Sequence, residues 1–217
     1  MKVISNQNPI GSTRAKNKYS KCVILLLSLF LCTSLIIGLL GCTTSNTRFN
    51  FREIDCEGTT YYSVEKCTPG KYIYDVTIPD TWQGLPVLSI ESNAFVSGII
   101  KCIDVGRVET IDPFAFAYCS ELKTVDLQEV ISIGNDAFSG CICLESVTIP
   151  TTVLEIGDAA FLNCENLRTV YFEGNPTHLG AELFLKQVHI FGYPGGTVEK
   201  YANENGLLFT PIDTAGD

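Results

Sequence analysis

Residues 130–150 read VISIGNDAFSGCICLESVTIP. Within this stretch Val130, Ile133, Ala137, Phe138, Cys141, Leu144, Val147 and Ile149 form the apolar and small skeleton. No single period describes them. Val147 and Ile149 stand two apart, which is strand alternation, and Pro150 follows at once. A stretch that changes period within about twenty residues is a small supersecondary unit that cannot bury its own apolar side.

The same skeleton recurs on both sides. Four Ala-Phe pairs, Ala94-Phe95, Ala115-Phe116, Ala137-Phe138 and Ala160-Phe161, place their phenylalanines 21, 22 and 23 residues apart. Five residues before each Phe stands Ile90, Ile111, Ile133 or Ile156, and three before that Val87, Val108, Val130 or Val153. Three after the Phe comes Gly98, Cys119, Cys141 or Cys164. Leu122, Leu144 and Leu167 follow, then Val125, Val147 and Val170, then Leu127, Ile149 and Phe172. The first unit is one residue short after its Phe, so Ile100, Ile103 and Val105 take the later slots. A decayed fifth unit keeps Leu183-Phe184, Val188 and Ile190.

One strand per unit, running the same way each time, makes a parallel sheet, and stacked neighbours bury a continuous core. The Ala-Phe pair fits a short helical or 3-10 turn with Phe inside. The V-x-x-I segment predicts a second short strand on another side. The fold class is therefore a leucine-rich-repeat solenoid of parallel β strands over residues 87–190. Open ends of such an array need lids. Residues 53–86 are expected to supply an N-terminal β-hairpin, with strands at 60–64 and 72–78 and a turn at 68–71. Residues 191–217 are expected to supply a C-terminal cap, with Thr197 capping a short helix, Glu199 in its first turn and Gly206 ending it.

The register resembles the repeats of BspA-like leucine-rich surface proteins, whose signature runs I-x-x-x-A-F-x-x-C-x-x-L-x-x-[VI]-x-[IL]-P. Pro150 closes the third unit after Ile149, and Pro79 follows Ile78 ahead of the first. The resemblance covers about residues 57–211 and includes the stretch 197–207, similar to that family's closing helix. It implies a binding protein that adheres to host or matrix proteins or to other cells.

The N-terminus reads as an address. Residues 1–21 hold Lys2, Arg14, Lys16, Lys18 and Lys21 with no acid, and Cys22 to Leu40 is a 19-residue uncharged run. This is the layout of a secretory signal. Leu39-Leu40-Gly41-Cys42 resembles the lipobox of bacterial lipoproteins, and that resemblance implies lipidation of Cys42 with residues 22–42 as the apolar signal segment. The alternative is an uncleaved transmembrane helix, since 19 residues nearly span a bilayer. Either way the basic flank stays inside and residues 43–52 form a linker to an exported, membrane-anchored domain.

Beyond Cys42 the chain carries 10 basic and 24 acidic residues, a net of −14. Such a field repels nucleic acid and anionic headgroups, so neither is an expected partner. The two histidines, His178 and His189, fall in no metal or nucleophile motif, and no phosphate-binding glycine loop is present. No catalytic residue, metal or cofactor is expected. Cys119, Cys141 and Cys164 hold one repeat position, where a small buried thiol suits the core better than a ligand. Cys56 and Cys67 flank the first lid strand and are a candidate disulfide in an exported domain.

Alternation leaves Asp104, Thr124, Asp126, Ser146, Thr148, Thr169 and Tyr171 outward on the main strands, with Cys102 beside Asp104 and the pair Gln187 and His189 next in line. This face is the expected site for a protein partner, with Tyr171 as its anchor. The partner is a host or matrix protein by the family resemblance, or alternatively another exported protein that the chain scaffolds in the envelope. Trp82, the only Trp, is expected to pack the join between lid and first repeat.

Overall fold

The structure, a computed structural model, describes residues 48–56, 58–68 and 75–212. In chain order the strands are β1 (Arg48–Cys56), β2 (Thr59–Thr68), β3 (Asp75–Thr77), β4 (Thr81–Trp82), β5 (Leu85–Ile90), β6 (Cys102–Asp104), β7 (Thr110–Ile111), β8 (Thr124–Asp126), β9 (Ser132–Ile133), β10 (Ser146–Ile149), β11 (Glu155–Ile156), β12 (Thr169–Phe172), β13 (His178–Leu179) and β14 (His189–Gly192). The helix α1 (Thr197–Asn205) and a last strand, β15 (Leu208–Pro211), close the chain.

Each repeat contributes two strands on different sides. The V-x-x-I segments stack as one parallel ladder, β2-β5-β7-β9-β11-β13, in which Ile90, Ile111, Ile133 and Ile156 stay in register. The main strands form two runs, β3-β6-β8 and β10-β12-β14-β15, also parallel. Among the described residues no backbone hydrogen bond joins β8 to β10, so the expected continuous sheet opens there.

The Ala-Phe turns stack as well. Phe95 N–H donates to the Ala115 carbonyl, Phe116 N–H to Ala137 and Phe138 N–H to Ala160, each at 2.8 Å. Every turn thus hands its N–H groups to the next repeat. Inside, the phenylalanine rings form a column, with centroids 4.7 Å apart for Phe95–Phe116, 5.1 Å for Phe116–Phe138, 5.2 Å for Phe138–Phe161 and 5.7 Å for Phe161–Phe184. The residue before each Ala of the four pairs, and before Leu183 in the fifth unit, is left-handed: Asn93, Phe114, Asp136, Ala159 and Glu182 have φ between 53° and 63°. Only glycine adopts that conformation without cost, so the turn is held by its neighbours rather than by its own preference.

The repeat cysteines are buried as expected. Their thiols donate to the Phe carbonyl of the preceding unit: Cys119 to Phe95 at 3.1 Å, Cys141 to Phe116 at 3.3 Å, Cys164 to Phe138 at 3.2 Å. Burial pushes the Cys119 thiol up to about 12. Cys141 is also raised, first by its hydrogen bond with Cys164 and then by burial.

The N-terminal lid differs from expectation. The hairpin joins β1 to β2, in antiparallel pairing with a bulge between Asn50 and Phe51. Residues 48–52, read as linker, are therefore strand. Their phenylalanines are the reason: Phe49 packs edge-on to Phe95 at 6.3 Å and Phe51 stacks on Trp82 at 4.6 Å, covering the open end of the ring column. Trp82 thus does join lid and array. Within the expected second lid strand, Asp75–Thr77 pairs in parallel with β6 instead. Val76 and Ile78 are buried in the slots of Ile103 and Val105, so an unrecognised repeat precedes Val87. The turn at Pro69–Lys71 lies outside the described residues, as do the signal segment and Cys42.

At the other end Thr197 does not cap α1. The cap position is Gly196, which makes no side-chain cap bond, and the Thr197 hydroxyl donates instead to the Pro176 carbonyl at 2.5 Å. Glu199 lies in the first turn and Gly206, left-handed at φ 63°, ends the helix. Val198 and Ala202 are fully buried against the last repeat, and β15 adds a rung beside β14 that the sequence reading lacks.

Candidate binding face

Strand alternation turns two rows of side chains outward on the main strands. One row runs Thr77, Asp104, Asp126, then across the opening Thr148, Tyr171, Phe191 and Thr210. The other runs Asp75, Cys102, Thr124, then Ser146, Thr169, His189 and Leu208. All seven residues expected on this face are there. Thr124, Asp126, Ser146, Thr148 and Tyr171 are exposed, and Asp104 and Thr169 are half-buried.

The fifth rung is shifted from expectation. The register sets His189 beside Thr169 and Phe191 beside Tyr171, so the outward pair is His189 and Phe191, not Gln187 and His189. The fifth unit is shorter between its Phe and its strand, which moves Val188 into the Leu slot: Val188 N–H donates to the Leu185 carbonyl as Leu167 N–H does to Cys164.

Two poles result. Toward the C-terminus the Tyr171 ring stacks on Phe191 at 4.7 Å and Phe191 on the His189 ring at 4.2 Å. The His189 ring is held by a 2.8 Å hydrogen bond between Nε2 and the Thr210 hydroxyl. Tyr171 remains 42% exposed and Leu208 62%. Toward the N-terminus Asp104 and Asp126 are register neighbours, and the Gln128 side-chain amide donates to both, at 3.1 and 3.2 Å. Where β8 and β10 part there is a cavity of about 530 Å³, lined among others by Asp126, Gln128, Thr148, Thr151 and Glu173. Gln128, Glu173, Phe191 and Leu208 went unrecognised in the sequence. The first two follow the strand, Phe191 depends on a register that the shortened fifth unit hides, and Leu208 on the added strand β15.

Cys56 and Cys67 do not meet. In the hairpin Cys56 pairs with Thr59 at one end and Cys67 with Phe49 at the other. Strand length rules out a bond, because a disulfide needs Cα atoms within about 7 Å. Among the described residues no three His, Cys, Asp or Glu side chains gather as a metal site. Glu109 and Asp112 sit on the other ladder, where partial burial holds both carboxyls above their usual range.

A parallel two-sided solenoid with a buried phenylalanine column and closed ends is a leucine-rich-repeat protein. The chain belongs to the BspA type leucine rich repeat family, whose profile matches residues 60–191 in six copies. Among the curated proteins none is significantly similar in sequence. Solved structures are also similar, among them the following three. A leucine rich cell surface protein from Faecalibacterium prausnitzii A2-165 is 22% identical with a TM-score of 0.49, covering 77% of this chain and 38% of that one. The Treponema pallidum leucine rich repeat protein is 19% identical with a TM-score of 0.47, covering 75% and 95%. A leucine-rich repeat protein from Bacteroides ovatus ATCC 8483 is 25% identical with a TM-score of 0.48, covering 69% and 47%. The chain thus matches well under half of the first of these proteins. Among the described residues no helix is long and apolar enough to cross a membrane.

Proposed function

We propose that this chain is a non-enzymatic binding protein of the cell surface, anchored through Cys42 or its apolar segment, which engages a protein partner with the outward face of its main strands. The observation that carries this reading is Tyr171, a ring stacked on Phe191 yet 42% exposed. A rigid aromatic of this kind contributes contact area at low entropic cost. Repeat solenoids commonly bind through such faces, and a similar solved structure is described as a cell surface protein. Adhesion to a host or matrix protein is the specific form of the proposal.

The test is binding of the full-length chain, in detergent or liposomes, to immobilised matrix proteins. The Tyr171→Ala, Asp126→Ala double variant should lose binding while its circular dichroism is unchanged. Binding that survives both substitutions would move the site off this face. Intact mass of the mature N-terminus tests the anchor, and an unmodified chain starting at Met1 would exclude lipidation at Cys42.

A further inference from the structure

The outer edge of the first two Ala-Phe turns is apolar and carries no charge. We propose that this edge docks the anchored domain on the lipid bilayer, with Val96, Ile99, Phe114 and Tyr118 seated among the headgroups. This rests on the anchoring reading above and adds the surface through which the tethered domain meets the membrane.

Three observations support it. First, the apolar side chains are exposed on neighbouring turns. All four are open to solvent, Ile99 to 58% and Tyr118 to 59%. The two turns stack directly, with Ser97 N–H donating to the Ala117 carbonyl and Phe95 N–H to Ala115, each at 2.8 Å. Clustered apolar groups of this kind mark a contact surface. Phe114 and Tyr118 also have left-handed backbones, at φ 61° and 60°. The next turn fills the same two slots with Asp136 and Gly140, residue types that suit the conformation. Turn stability therefore does not account for the two rings. Second, residues 92–99 and 113–120 hold no Asp, Glu, Lys or Arg. Acids return in the later turns, with Asp136 in the third and Asp158 and Glu165 in the fourth. The chain beyond Cys42 has 10 basic and 24 acidic residues, so these turns are the edge it brings to headgroups with least repulsion. Third, the chain enters the domain beside this edge. Phe49 lies 6.3 Å from Phe95, and its strand partner Cys67 donates its N–H to the Ala94 carbonyl. The uncharged run Cys22 to Leu40 ends eight residues before Arg48. Eight residues span at most about 28 Å, so an anchor in that run or at Cys42 holds the first turns near the bilayer.

The side-chain chemistry fits an interface. Aromatic rings favour the headgroup region, where the ring is shielded and a Tyr hydroxyl stays wet. Four side chains give shallow, reversible docking that an untethered domain would not sustain. A short tether makes the contact intramolecular and raises the effective concentration enough to hold it. The main strands lie on another side of the coil, so Tyr171 stays open to a protein partner while the turns rest on lipid.

The test places the full-length chain in phosphatidylcholine liposomes whose lipids are brominated high on the acyl chains, which quenches nearby tryptophan. Ile99→Trp, Tyr118→Trp and Tyr171→Trp are each read as the emission added over the unsubstituted chain, which contains Trp82, in the same lipid. Bromination should cut the added emission of Ile99→Trp and Tyr118→Trp about twofold or more and leave that of Tyr171→Trp unchanged. Adding Phe114→Asn and Tyr118→Asn to the Ile99→Trp chain should restore its emission. Asn suits both left-handed backbones, and circular dichroism verifies that the fold is kept. Equal quenching at Ile99 and Tyr171, or quenching at Ile99 that survives the Asn pair, overturns the proposal. So does an unquenched chain with a concentration-dependent dimer that the Asn pair abolishes, which makes the occupant a second copy. If the chain floats with the liposomes and no turn variant is quenched, the docking assignment falls and the anchoring reading stands. If the chain does not float with the liposomes, the anchoring reading falls and takes this proposal with it.

Discussion

The Tyr201 hydroxyl of α1 accepts a hydrogen bond from the Leu183 N–H at 2.9 Å. Leu183 is fully buried and belongs to the last turn of the stack. In earlier turns the N–H of the matching alanine bonds within its own turn, Ala94 to Glu91, Ala115 to Asp112 and Ala137 to Gly134, whereas here the acceptor comes from α1. Tyr201→Phe should therefore strand a buried donor and cost about 1–3 kcal/mol. Denaturant unfolding measures it, and a loss near zero would mean that water replaces the hydroxyl.

The ring column predicts a gradient. Phe138 is fully buried between two stacked rings, whereas Phe184 ends the column and is 7% exposed. Phe138→Ala should cost about 3–5 kcal/mol or more. Phe184→Ala should cost less, since α1 and the chain end can settle into the space. Equal losses would show that the column acts as one unit.

Ala159 sits at φ 55°, the left-handed position that Asn93 fills in the first repeat. Ala159→Gly removes a strain of about 1–2 kcal/mol and returns part of it as unfolded-chain entropy. A net gain of about 0.5–1 kcal/mol is expected, seen as a higher midpoint in thermal unfolding. Ala159→Val, β-branched at the same position, should shift the midpoint the other way.

The buried thiols make the fold sensitive to alkali. Cys119 rises from an ordinary value near 9 to about 12. A thiol that ionises more readily unfolded than folded stabilises fully below pH 9 and loses that contribution as pH climbs toward 12. The slope is about 1.4 kcal/mol per pH unit for each such group. Cys119→Ala should flatten the alkaline limb of a urea-midpoint profile. In the native state Cys56, which is exposed, should react with a thiol reagent long before Cys119, Cys141 or Cys164.

Strong side-chain periodicity made the array readable. Val130, Ile133, Phe138 and Cys141 each fill one slot whose neighbours repeat it, and all are buried. The lid was harder, because its cue is complementarity with an end rather than repetition. Phe49 and Phe51 look like residues of a linker until the open face of Phe95 is known. The same holds for the outward residues. Asp126 and Tyr171 follow from alternation alone, but Phe191 depends on a shortened unit, and the opening between β8 and β10 depends on hydrogen bonds that no side-chain pattern encodes. Cys56 and Cys67 mislead because closeness along a hairpin strand is distance in space.

The turn-to-turn hydrogen bonds have one polarity, so a repeat is defined as much by what it donates forward as by what it accepts from behind. Any internal unit can be duplicated or excised by unequal recombination without altering either terminus. Each such event would lengthen or shorten the exposed row by one increment of about 4.8 Å. An allelic series differing only in copy number would then act as a set of calipers, each selecting partners by the separation of their contact points.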